Sequence, residues 1–138
     1  MKTLVLDTSV AAAWYLPEDF SADARRWQQR MMEGRVQLVV PGLHYWEMAN
    51  LLRTYVRRGG LDAATAQEIY DLHLDAPLDT ANPDRAQVLT TALDFDASAY
   101  DAVYIALSQS IEAPLLTAER TTTPWVVKLG ERVLNVRT

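Results

Sequence analysis

The sequence predicts an α/β fold: a mostly parallel sheet with helices on both faces, formed by residues 1–138 as one domain. Three observations carry that prediction. Short apolar or β-branched runs of strand length alternate with helix-length segments along the whole chain, and right-handed crossovers between parallel strands then place helices on both faces. The length of 138 residues allows one core of ordinary size. The composition, 49% hydrophobic and 22% charged, is that of a globular protein rather than a disordered one.

Taken in order, residues 3–6 (TLVL) form an apolar run cut off by Asp7, a buried strand. A helix begins in TSVAAAWYL, with Thr8 or Ser9 as its cap, and Pro17 stops it. A second helix starts at Ser21 and ends at Gly34. Residues 36–40 (VQLVV), between Gly34 and Pro41, read as the next strand. A helix over 42–58 is stopped by Gly59 and Gly60, and 61–74 is helical with Asp62 as cap. A short strand is expected around Leu78. Asn82 or Pro83 opens a helix running to Leu93, and Ser98 opens another, SAYDAVYIAL, apolar nearly all round and therefore buried. Residues 114–117 form a strand, Thr123 and Pro124 cap a short helix, and 133–136 form the last strand.

Several function classes drop out on composition. There is no cysteine, so disulfides and thiolate zinc sites are excluded, and two histidines, His44 and His73, are too few for a histidine-built metal site. A net charge of -5 argues against binding nucleic acid by bulk attraction, though not against a local basic strip. Arginines cluster at Arg25, Arg26 and Arg30 and again at Arg53, Arg57 and Arg58, where solvated helix faces are the plain reading. The opening apolar run is too short for a signal peptide and no stretch reaches membrane-spanning length, so a cytoplasmic protein is expected. Trp14, Trp27 and Trp46 sit in apolar-rich helices, where core packing is the first expectation and a dimer face the second.

Chemistry is expected where acids converge. In an open α/β sheet, ligands bind outside the carboxyl ends of the strands. Asp7 directly follows the first strand, and Glu47 lies early in the helix that leaves residues 36–40. Glu119 follows PLLTA at the same edge if that strand is parallel, and Asp101 joins them if its helix starts there. Each has a plainer reading: Asp7 as a helix cap, Glu47 and Glu119 as solvated acids, and Asp101 with Ser98 as a capping box. Together they repel by roughly 1 to 4 kcal/mol per pair about 4 Å apart, which calls for a cation among them. Oxygen ligands alone suit magnesium or manganese rather than zinc, and such an ion leaves room for phosphate oxygens.

The ordered motifs VLDTSV, HYWEMANLLR, SAYDAVYIALS and LLTAER resemble the PIN-domain ribonucleases, most of all the short VapC-type toxins of bacterial toxin–antitoxin pairs. The resemblance covers nearly the whole chain. It implies an endoribonuclease dependent on Mg2+ or Mn2+, held by a small antitoxin protein and forming a homodimer. It maps the acidic site onto Asp7, Glu47, Asp101 and Glu119, with Asp7 and Asp101 on the metal and Glu47 completing the site or taking a proton from water. Thr8 or Ser9 would assist near the metal, Asn50 would support from the face of Glu47, and Arg53 or Arg57 would hold the RNA backbone. The chain departs from the family where an aspartate is usual and Glu119 stands, and again in the following RTTTPW; Asp94 and Asp96 are alternative charges there. Two rival readings remain: a PIN-like binding domain whose site has decayed, and an aspartyl-phosphate phosphatase using Asp7, which would want an aspartate where Ser9 stands.

Overall fold

Lys2–Leu6 (β1), Val36–Val40 (β2), Asp79–Thr80 (β3), Leu115–Thr117 (β4) and Val133–Asn135 (β5) pair in one sheet of spatial order β3-β2-β1-β4-β5. Every pairing is parallel, with Lys2 opposite Val36, Leu6 opposite Leu116 and Leu116 opposite Leu134. This computed structural model describes residues 1–137; Thr138, the last residue of the expected domain, lies outside the described residues. The helices are Thr8–Ala12 (α1), Ser21–Met32 (α2), Leu43–Arg57 (α3), Ala63–Leu74 (α4), Val88–Phe95 (α5), Ala99–Ser110 (α6) and Pro124–Leu129 (α7). None of them is long and apolar enough to cross a membrane.

Strand alternation divides the core. Leu4 and Leu6 point to one face, where α1 and α2 cover them with Val10, Trp14 and Ala24. Val5, between them, points to the other face, under Tyr104 and Ile105 of α6 and Trp125 and Val126 of α7. β1 is thus buried on both sides, which is why its sequence is continuously apolar rather than alternating. The α3–α4 hairpin adds a third cluster, in which Met48, Leu52 and Ala66 close over Ala12 and Leu16.

The chain runs outward from β1 to β2 and β3, then returns to place β4 and β5 on the opposite side. The crevice at the carboxyl end of β1 is therefore the switch point of the sheet, where such folds bind ligands. α6 feeds directly into parallel β4, so it runs antiparallel to the strands and its first turn lies at the carboxyl edge. The expectation for Asp101 follows from this topology.

Several local expectations change. The cap position of α1 is Asp7, not Thr8 or Ser9, and its side chain makes no capping bond. Thr8 is instead the first helical residue, buried, with its hydroxyl turned inward. Asp62 caps α4 as expected, its carboxylate accepting from the N–H of Thr65 at 2.7 Å. The helix expected from Asn82 or Pro83 begins later, as a 3-10 turn over Arg85–Gln87 capped by Asp84. Asn82 is held elsewhere, accepting from the N–H of Gly42 at 2.9 Å just before α3. Thr123 holds the N-cap position of α7 with Pro124 opening the helix, as expected, but its side chain makes no capping bond. Trp14 is in the core, but Trp46 is 72% exposed because it lies on the outer face of α3.

Candidate active site

Asp7, Glu47, Asp101 and Glu119 line one open cavity of about 480 Å3 at the carboxyl edge of the sheet, together with Thr8, Ser9, Asn50, Thr54 and Arg58. Four separate segments thus deliver one acid each. Every acid is half-buried, and Asn50 is exposed at the wall. Asp94 and Asp96 do not line the cavity; Asp96 is the left-handed residue that ends α5.

Asp7 is held from both sides of the sheet's centre. Its Oδ2 accepts from the hydroxyl of Thr117, at the end of β4, at 2.7 Å and from Ser9 at 3.0 Å. Ser9 also accepts from the N–H of Ala118 at 3.1 Å, so this hydroxyl ties α1 to the end of β4. Both bonds to Asp7 end on one oxygen, which leaves Oδ1 to a ligand. Burial, then Asp101 and Glu47, push its carboxyl up to about 6 against the relief from Thr117 and Ser9.

Glu47 is fixed from beneath. Its Oε1 lies 2.7 Å from the Tyr104 hydroxyl and 3.1 Å from that of Thr8, within hydrogen-bond reach of both. Its carboxyl is raised by burial first, with Asp101 adding to the shift and the two hydroxyls opposing it. Asp101 is raised by burial and then by Glu119. Ser98 caps α6 through the backbone N–H of Asp101 at 3.0 Å, so the cap is built on the main chain of this residue. The indole of Trp125 favours the ionised form of Asp101. Its Nε1 is nevertheless a buried donor with no hydrogen-bond partner among the described residues.

Glu119 is the most loosely integrated of the four. Its Oε1 accepts from Thr123 and from the N–H of Arg120, each at 3.3 Å, which turns the carboxylate toward its own loop. The extra methylene relative to aspartate lets it do so.

The arginine that lines the cavity is Arg58; Arg53 and Arg57 line a separate groove between α3 and α4. Helix geometry gives the reason. At about 100° per residue, Arg58 is three turns from Glu47 and about 20° off its direction, whereas Arg57 and Arg53 are about 80° and 120° away. The same spacing, applied to the sequence, would have found it. Tyr104 and Thr117 were not recoverable that way, because an aromatic in an apolar helix and a threonine in a strand carry no signal of where their hydroxyls end.

The donor set is carboxylate and hydroxyl oxygen throughout, and it is short of positive charge. Such a set fits a hard divalent cation. Among the described residues, however, no three acidic or histidine side chains stand as a ligand shell. An ion of the magnesium type needs only one or two of these carboxylates and keeps waters for the rest.

A family model for the PIN domain matches residues 4–121. Ribonuclease VapC3 of Pyrobaculum aerophilum is 31% identical over 121 residues, covering 85% of this chain and 89% of the relative. The crystal structure of PAE2754 from Pyrobaculum aerophilum superposes on 99% of this chain and 85% of its own, with a TM-score of 0.75 and 21% identity, a likeness of fold.

Proposed function

Because the chain belongs to the PIN-domain family, we propose that it hydrolyses RNA phosphodiester bonds as the toxin of a toxin–antitoxin pair. The observation that carries the reading is the convergence of Asp7, Glu47, Asp101 and Glu119 on one cavity, where burial and mutual repulsion hold Asp7 up to about 6. Asp7 and Asp101 would hold Mg2+ or Mn2+, with Glu47 available to complete the set. When bound, the ion supplies charge stabilisation at the phosphate and a lower pKa for attacking water.

The chain's own residues do the rest. Thr117 and Ser9 fix the rotamer of Asp7, and Tyr104 and Thr8 fix that of Glu47. Glu47, whose carboxyl burial raises, is the group that accepts a proton from water. Arg58, on the wall, pairs with a backbone phosphate of the substrate. The net negative chain makes that local cation matter more, and single-stranded or loop RNA is the substrate that bends into such a crevice. Glu119 sets the charge beside Asp101 rather than gripping the ion.

Cleavage of RNA in Mg2+ or Mn2+, run beside Asp7→Asn purified identically, tests the activity; equal cleavage by both proteins would defeat it. The toxin assignment further expects a cytoplasmic homodimer that arrests growth unless a small antitoxin is co-expressed. A monomer at high concentration with no effect on growth would count against that part.

A further inference from the structure

Both histidines of the chain are fully buried, and neither is used by the chemistry above. They meet edge to edge: His44 Nε2 lies 2.8 Å from His73 Nε2. On the far side His73 Nδ1 is 2.9 Å from the Tyr15 hydroxyl. On the near side His44 Nδ1 is 3.1 Å from Thr8 Oγ1 and 3.3 Å from the Tyr104 hydroxyl, the two groups that hold Glu47. We propose that Tyr15, His73 and His44 are positioning residues for Glu47, joined in a one-way chain of hydrogen bonds that keeps a hydroxyl hydrogen of the Thr8–Tyr104 pair turned to its carboxylate. This rests on the working role of Glu47 proposed above.

The direction follows from counting hydrogens. Thr8 and Tyr104 own one hydroxyl hydrogen each, and an ionised Glu47 owns none. Their oxygens are 2.7 Å apart, so one of the two hydrogens lies between them, and the other goes to Glu47 Oε1. None is left for His44 Nδ1, which must therefore carry its own. Burial holds both imidazoles neutral, so each ring has a single N–H. His44 Nε2 is then bare, His73 Nε2 carries the hydrogen between the rings, and His73 Nδ1 is bare and accepts from Tyr15.

The reverse arrangement has a consequence at the site. With His44 Nδ1 bare, Thr8 or Tyr104 would turn its hydrogen inward to the imidazole, and Glu47 would lose hold of a donor. Free neutral histidine favours the Nε2–H tautomer, so His44 left to itself would drift that way. His73 is what prevents it, by occupying His44 Nε2 with a donor from a helix 29 residues away.

Nitrogen NMR of tag-free protein labelled at histidine reads this directly, since only two imidazoles contribute. The expected pattern at neutral pH is Nδ1–H on His44 and Nε2–H on His73. The opposite pair, or a charged ring, overturns the chain, and this arm needs no mutation. His73→Leu should move His44 to its Nε2–H form and lower kcat about tenfold at nearly constant KM, the scale of one misdirected buried hydrogen bond. His73→Gln, which still offers an N–H to His44 Nε2, should restore both the tautomer and most of kcat. Full activity in a folded His73→Leu overturns the positioning role. Absence of RNA cleavage in the wild type defeats the proposed function instead, and the tautomer pattern still decides the chain.

Discussion

Replacing Asp7 by asparagine separates a residue that supports the fold from one that the fold holds under strain. Both hydroxyl bonds to Asp7 end on Oδ2, so the single amide oxygen of asparagine accepts both and the local geometry survives. What disappears is the charge. Asp7 is raised from 3.8 to about 6 by burial and then by Asp101 and Glu47. That difference corresponds to ~3 kcal/mol. Because the folded pKa lies above the unfolded one, this contribution is fully present below the unfolded value and is lost as pH rises through about 6. In EDTA at pH 8, Asp7→Asn should therefore be more stable than wild type by up to about 3 kcal/mol, shrinking to under about 1 kcal/mol at pH 4. Urea unfolding of both proteins at the two pH values measures it, and magnesium or manganese should narrow the gap by binding the wild type alone. A variant less stable at pH 8, or a difference independent of pH, would leave Asp7 as an ordinary structural acid.

Asp101→Asn should keep the α6 cap, because Ser98 bonds the backbone N–H, and should leave apo stability unchanged or higher. Metal-dependent cleavage should meanwhile fall by about a hundredfold or more; a destabilised but fully active variant would return Asp101 to a capping role. Glu47→Gln should abolish cleavage and reduce the rise in melting temperature on adding manganese, and an unchanged metal response would remove Glu47 from the ion's surroundings. His73, lowered to about 4 by burial, contributes stability that is present above the unfolded value of 6.5 and is lost as pH falls toward 4. Relative to wild type, His73→Gln should therefore gain about 2 kcal/mol between pH 7 and pH 5 in denaturant melts, and a parallel acid limb would contradict the lowered pKa.

The architecture was legible wherever local chemistry and global position agree. Residues 36–40 are β-branched and bounded by Gly34 and Pro41, and β2 occupies that span. Asp62 reads as a cap and is one. The acid cluster was legible for a topological reason: a residue just past a parallel strand, or in the first turn of a crossover helix, is carried to one edge whatever the side-chain details. Hydroxyl partners escaped because they are decided by packing. Thr8 looks like a cap but is turned under the sheet edge by Tyr104, 96 residues later. Asp84, rather than Asn82 or Pro83, opens the helical run because the Asn82 side chain is already engaged at Gly42. The choice of Arg53 and Arg57 over Arg58 was of another kind, since helical phase from Glu47 separates them. The contact between His44 and His73 is a meeting of two helices, and nothing in either segment announces it.

The central place of β1 also sets which of its pairings is costlier to close. It pairs with β2 over a separation of 34 residues, but with β4 only over 110. Long-range parallel pairing is slow to form, because the chain must be closed into a large loop before any contact rewards it. Until β4 docks, β1 presents an open edge of unpaired backbone groups on an apolar strand, the kind of edge that recruits other chains. Asp7 is equally unfinished at that stage, without the Thr117 hydroxyl on its carboxylate or the Ala118 N–H on Ser9. An incomplete chain carries Asp7, Glu47 and Asp101 but lacks both Glu119 and the strand that orients Asp7. Closing the sheet and finishing the acid cluster therefore depend on the same strand, and the edge that invites other chains stays open for as long as the site is incomplete.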